Sequence, residues 1–247
     1  MIFLKNIKLT IEYDGTNYHG WQVQPNAITV QQIVKEAIEK LTKEDINLIG
    51  ASRTDEGVHA YGQVANFSTN STILPEKFSY AINSFLPEDI VIVKSELVDE
   101  DFHSRYDTKG KKYRYIIYNR EMKSALLNNR AYHVRKKIDV NIMKEAAKFL
   151  VGKHDFSSFK SSGGSAKTSV RTIHDIVIEE KDDMITIEVS GDGFLYNMVR
   201  IIAGTLVEFG VEKRNPSDML DILESKDRRK AGKTAPSQGL YLVEIYY

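Results

Sequence analysis

The stretch Gly50–Ala60 reads G-A-S-R-T-D-E-G-V-H-A. It crowds a guanidinium (Arg53), two carboxylates (Asp55, Glu56) and an imidazole (His59) into a few residues. Gly50 and Gly57 let the backbone turn at both ends. Charged groups aimed by a loop on a rigid scaffold are a common seat of chemistry. The same residue types also make an ordinary solvated Asp-Glu-Gly turn. A third reading is a metal-dependent hydrolase built on Asp55, Glu56 and His59. With no cysteine in the chain and a single candidate histidine, that ligand set is thin.

The elements that must hold this loop follow from hydrophobic period. An apolar run (Ile46, Leu48, Ile49) precedes it, and an alternating run (Val64, Phe67) predicts a strand near Gln63–Ser68 after it. Upstream, Ile7–Tyr13 reads as a strand, Asp14–Gly15 as a turn, and Thr29 as the N-cap of a helix over Val30–Lys43. Downstream come a helix over Pro75–Phe85 and a strand over Ile90–Leu97. This is the split βαβ, or ferredoxin-like, order β-α-β-β-α-β. The second half repeats the order: strand Lys112–Tyr118, helix Val140–Leu150 capped by Asp139, strands Thr172–Glu180 and Met184–Ser190, helix Leu195–Phe209, and strand Tyr241–Tyr246. A short helix near Pro216–Leu223 precedes the last strand. No sequence repeat accompanies the repeated order of elements.

The expected fold is therefore α+β: two ferredoxin-like halves, 1–104 and 105–247, joined into one mixed, mostly antiparallel sheet. Helices are expected on one face, with a central cleft between the halves as a natural place for a ligand. The chain has 247 residues, 42% hydrophobic and 28% charged, as in ordinary soluble globular proteins. Without cysteine there is no disulfide framework and no zinc–thiolate site, which suits a reducing compartment. No run approaches transmembrane length and no signal peptide is apparent, so a cytoplasmic protein is expected.

Net charge is zero, with 34 basic and 34 acidic residues. A nucleic-acid surface would then be local. Candidate patches are Lys109, Lys111, Lys112 and Arg114; Arg135, Lys136 and Lys137; and Arg228, Arg229, Lys230 and Lys233, each of which singly reads as a solvated face. The tyrosines of D-F-H-S-R-Y-D-T-K-G-K-K-Y-R-Y (Asp101–Tyr115) read as strand core or as a stacking surface for a base. Trp21, in Y-H-G-W-Q-V-Q-P, reads as core cover or a stacking ring. Arg200 sits in a mostly apolar helical run, G-F-L-Y-N-M-V-R-I-I-A-G, and needs a partner. A surface acid at the helix edge would serve.

S-R-T-D-E-G-V-H-A resembles the signature of the tRNA pseudouridine synthase A (TruA) family, small-Arg-Thr-Asp-x-Gly-Val-His-Ala. The opening Y-D-G-T-N-Y-H-G-W-Q-V-Q (Tyr13–Gln24), the two segments just quoted and T-A-P-S-Q-G-L-Y-L (Thr234–Leu242) resemble the family's other motifs, in matching order. Ser52 at the small position and Glu56 at the variable one are mild departures. The resemblance implies that Asp55 is the catalytic residue, Arg53 the base-flipping arginine, Tyr113 the ring stacked on the target uracil, Arg200 the ion-pair partner of Asp55, and Leu240 part of the pocket lining.

It further implies an isomerase that converts uridine to pseudouridine in the anticodon stem-loop of tRNA, at positions thirty-eight to forty, with no cofactor and no metal. The target base must be flipped out of its stack before Asp55 can reach the sugar. The implied partners are tRNA and a second copy of the chain in a homodimer, without a membrane or a small-molecule cofactor. The alternative is a non-catalytic RNA-binding protein on the same fold.

Overall fold

Ile7, Leu9 and Ile11 alternate with polar residues, and β1 (Lys5–Tyr13) turns all three inward, fully buried. After it, Asp14 accepts a hydrogen bond from Thr16 N and starts a short 3₁₀ turn, Gly15–Asn17. Thr29 stands in extended conformation at the N-cap of α1 (Val30–Thr42), although its hydroxyl makes no cap hydrogen bond. Val30, Val34, Ala37 and Ile38 form the buried face of α1. The two valines and the isoleucine, each removed from water, contribute about 1.5–3 kcal/mol apiece. Lys43 ends the helix in left-handed conformation.

The computed structural model describes residues 4–164 and 166–247. They divide into two compact units, one running up to Lys109 and taking in Tyr241–Tyr247, the other Gly110–Leu240. Among the described residues there are ten strands and five α-helices, a mixed α+β arrangement.

In the first unit, α1 leads to β2 (Ile49–Gly50), β3 (His59–Thr69), α2 (Phe78–Asn83) and β4 (Ile90–Val98). β1 pairs antiparallel with both β3 and β4, and β2 pairs antiparallel with β3. The order β4-β1-β3-β2 is that of the split βαβ fold. Since β2 is only two residues long, part of the β3 edge is left for another strand.

The second unit contains β5 (Gly110–Asn119), β6 (Tyr132–Val134), α3 (Val140–Lys148), β7 (Gly152–Asp155), β8 (Val170–Lys181), β9 (Met184–Gly191), α4 (Met198–Glu212) and α5 (Asp218–Ser225). Its strands run β5-β9-β8-β7, all antiparallel, with β6 parallel to β5. Asp139 caps α3 by accepting from Asn141 N and Ile142 N, as its sequence position predicts. Finally β10 (Leu240–Tyr246) brings Tyr241 and Leu242 alongside His59 and Ala60 of β3, in parallel.

Two boundaries differ from expectation. α4 starts at Met198 rather than Leu195, because Asn197 stands at φ +60, a left-handed conformation that breaks the helical path. The Pro75 segment opens as a 3₁₀ turn, Pro75–Lys77, before α2 proper. β6 has three residues and β7 four, too short for an alternating pattern to announce them.

Candidate active site

The Asp55 loop rests on the segment that follows β1. Trp21 N donates to Thr54 O at 3.1 Å and Gly57 N donates to Tyr18 O at 3.3 Å. Gly20 is at φ +85, and a Cβ there would lie 2.3 Å from Thr54 O, so only glycine permits this approach. Trp21 is buried and its ring stacks near Tyr13, 6.2 Å between centroids. It is therefore core cover beneath the loop. Tyr18 donates to Asp89 Oδ1, and burial followed by that carboxylate holds its hydroxyl well above the ordinary tyrosine pKa. The support stays protonated at neutral pH.

Within the loop, the side chains divide by direction. Thr54 faces inward, its Oγ1 2.8 Å from the Tyr13 hydroxyl. Gln63 donates to Ser52 O at 2.7 Å, and Ala51 N to Val64 O at 2.8 Å. Arg53 and Glu56 are exposed and Asp55 is half-buried. Val58 N closes the turn on Asp55 O at 3.2 Å. A carboxylate at position 55 is thus carried by a backbone fixed on both sides.

His59 is buried where the loop enters β3. Its Nδ1 accepts from Gly15 N at 3.1 Å and lies 3.1 Å from Asp14 Oδ1. Its ring stacks on Tyr241 at 4.6 Å, and Tyr241 stacks on Tyr61 at 5.3 Å. Among the described residues, no three His, Asp or Glu side chains gather as metal ligands. In the sequence His59 reads as one of the loop's reactive groups or as a metal ligand; the structure gives it a bracing role. Its signal was the position of a histidine at the mouth of a strand, two residues before Tyr61.

In the second unit, Tyr113 and Tyr115 share the buried face of β5. The Tyr113 ring meets Phe194 edge-on at 5.2 Å. Tyr115 donates to Pro236 O at 2.7 Å. Burial raises its pKa well above the ordinary value, and the nearby positive charge of Arg200 only partly opposes that rise. Arg200, half-buried in the first turn of α4, donates from Nε to Ala235 O at 2.8 Å and from Nη1 to Asn197 Oδ1 at 2.9 Å. Ala235 N returns a bond to Arg200 O at 3.1 Å.

The Gly232–Ala235 chain can run this close to α4 because residue 204 is glycine: a Cβ there would lie 1.9 Å from Lys233 O. Arg228 orders the same segment, donating to Ala231 O, Gly232 O and Thr234 Oγ1. It is a structural clamp, whereas Arg229 projects to solvent beside Asp227. Leu240 follows this segment and is buried. The second unit thus gathers Tyr113, Arg200 and the Thr234–Leu240 stretch around Tyr115. The first unit places Arg53 and Asp55 on a single braced loop. Asn197 and Phe194, which contact Arg200 and Tyr113, carry no signal of this in the sequence.

A sequence profile described as tRNA pseudouridine synthase matches residues 9–107 and 146–247, covering the Asp55 loop, Arg200 and Leu240. The chain belongs to this tRNA pseudouridine synthase family. Among curated relatives, tRNA pseudouridine synthase A of Acetivibrio thermocellus is 60% identical over 244 residues, 99% of this chain and all of that protein. The enzyme of the same name from Ruminiclostridium cellulolyticum is 58% identical, covering 99% of this chain and all of that protein. A tRNA pseudouridine synthase A 2 of Clostridium tetani is 57% identical over 98% of this chain and 99% of that protein. The family's reaction isomerises uridine to pseudouridine in tRNA, and this synthase is an isomerase. None of its described helices is long and apolar enough to cross a membrane.

Proposed function

We propose that the synthase acts on the anticodon stem-loop of tRNA, at positions thirty-eight to forty, with Asp55 as its catalytic carboxylate. The observation that carries this reading is the braced Asp loop, in which Thr54 is pinned inward and the Asp55 carbonyl closes a turn with Val58 N. A fixed carboxylate suits a reaction whose barrier depends on positioning. Arg53, exposed on the same loop, enters the helix and flips the target base. Asp55 then acts on the ribose, either as nucleophile at C1′ or as the base in an elimination to a glycal. The C1′–N1 bond breaks with its electron pair leaving on uracil, the uracil rotates, and C5 bonds to C1′ as the Asp55 ester is displaced or the glycal is consumed. C5 gives up its proton and N1 gains one, so the net change is an isomerisation.

In this proposal Arg200 forms an ion pair with Asp55, the partner that the family resemblance gives it. Support comes from the way Asn197 and Ala235 already fix the guanidinium. Tyr113, held by Phe194, stacks on the uracil, and its hydroxyl assists the proton transfer. Leu240 helps exclude water from the detached base. The synthase works as a homodimer in the cytoplasm. The absence of cysteine fits that reducing compartment, and the dimer is carried over from the family resemblance.

The test uses wild-type protein and an unmodified tRNA transcript with uridines in the lower anticodon stem. Pseudouridine is mapped by carbodiimide-dependent reverse-transcription stops. Stops at the anticodon stem are expected. Tight tRNA binding with no stop anywhere would instead support a non-catalytic RNA-binding protein.

A further inference from the structure

The segment joining β4 to β5 holds an aromatic pair that the reaction above does not use. Its residues Asp99–Lys109 read D-E-D-F-H-S-R-Y-D-T-K. His103 N donates to Asp107 Oδ2 at 2.8 Å, and His103 Nδ1 accepts from both Arg105 N and Tyr106 N at 3.2 Å. Tyr106 N and Asp107 N also donate to His103 O. The turn is thereby closed on itself and the imidazole is locked.

Buried amides root this turn in the sheet. Asn6 donates to Asp99 O and Phe102 O, Asn66 Oδ1 accepts from Ser104 N, and Ser104 donates to Ile49 O. Buried polar groups satisfied in this way give a rigid base. On that base the Tyr106 ring lies 4.2 Å from the His103 ring, tilted by 28°, and remains 77% exposed. One face of the tyrosine is backed and the other is open. Arg105 and Lys109 are exposed nearby.

We propose that the open face of Tyr106 is a stacking platform for an unpaired base of the tRNA, with Arg105 and Lys109 taking the adjoining phosphates. An aromatic ring beside cations is the arrangement that holds single-stranded nucleic acid. A rigid, pre-stacked ring loses little rotamer freedom on binding. Asp107 is engaged within the turn, and the exposed acids Glu100 and Asp101 would repel phosphate, so the strand must pass on the Arg105–Lys109 side. The platform rests on the reading that tRNA is the substrate.

The experiment titrates an unmodified tRNA transcript with wild type, Tyr106→Ala, Tyr106→Phe and Arg105→Ala over a range of salt, following conversion in parallel. Tyr106→Ala should bind about 5- to 100-fold more weakly, while Tyr106→Phe stays near wild type. The salt slope should be unchanged for Tyr106→Ala and shallower by about 1 for Arg105→Ala. Melting temperature should stay at the wild-type value, since the ring is largely exposed. Wild-type affinity in Tyr106→Ala overturns the platform, as does an affinity loss that comes with a changed oligomeric state in sedimentation. Wild type that binds but does not convert uridine would instead overturn the catalytic reading, with the platform still decided by the ratio of affinities.

Discussion

His59 Nδ1 stands 3.1 Å from Asp14 Oδ1, and the same nitrogen accepts from Gly15 N at 3.1 Å. One ring nitrogen thus ties the turn after β1 to the end of the Asp55 loop, while the ring face carries Tyr241. A neutral Nδ1 serves as acceptor for Gly15, and a protonated one would donate to Asp14 instead.

His59→Ala should therefore loosen the base of the loop. We expect kcat to fall about 10- to 100-fold with the KM for tRNA nearly unchanged, because a displaced carboxylate costs rate rather than binding. Stability should fall by about 1–3 kcal/mol from the stranded Gly15 N–H and the lost stacking. His59→Asn restores an acceptor near Nδ1 and should recover much of the kcat. Steady-state kinetics with a urea melt on each variant checks this.

Arg200 is held by a fork: Nε on Ala235 O and Nη1 on Asn197 Oδ1. Lysine has the charge but not the geometry. Arg200→Lys should therefore fail to restore turnover lost in Arg200→Ala, leaving both variants at least about 100-fold below wild type. Asn197→Gly keeps the left-handed backbone and removes only the amide, so its loss should be smaller. A single-turnover comparison of the three variants reads this order directly.

Lys112 and Arg114 both engage Glu188, at 2.5 and 2.6 Å. Burial alone would raise the Glu188 pKa, but hydrogen bonds from the two cations outweigh it and hold the folded value below the ordinary 4.5. A depressed folded pKa adds stability at neutral pH, which is lost as acidification passes through 4.5 toward the folded value. Glu188→Gln should flatten that acid limb in a stability–pH profile. It should also remove a negative charge beside two cations, tightening tRNA binding and steepening the salt slope.

Much of the fold was legible because its signals are local. The alternation of Ile7, Leu9 and Ile11, the cap at Asp139 and the apolar face of α1 each report their element within a short window. The Asp55 loop was legible as a motif, and the structure adds how Gly20, Trp21 and Tyr13 brace it. Asn197 was not legible, since a left-handed residue before a helix leaves no periodic trace. The His59–Asp14 contact joins residues far apart in the chain, and a single sequence carries no signal for such a meeting. In the sequence each basic cluster singly reads as a solvated face. Lys112, Arg114 and Arg228 turn out to be engaged by groups distant in sequence or by backbone carbonyls.

The central claim is that Asp55 carries the chemistry, and Asp55→Ala tests it most directly. Wild type and variant are incubated with the same unmodified tRNA transcript, and pseudouridine is mapped at single-nucleotide resolution while tRNA affinity is measured in parallel. We predict stops in the anticodon stem from wild type, none from Asp55→Ala, and affinities within about threefold of each other. Pseudouridine formed by Asp55→Ala at a rate close to wild type would contradict the account and move the catalytic role to another residue.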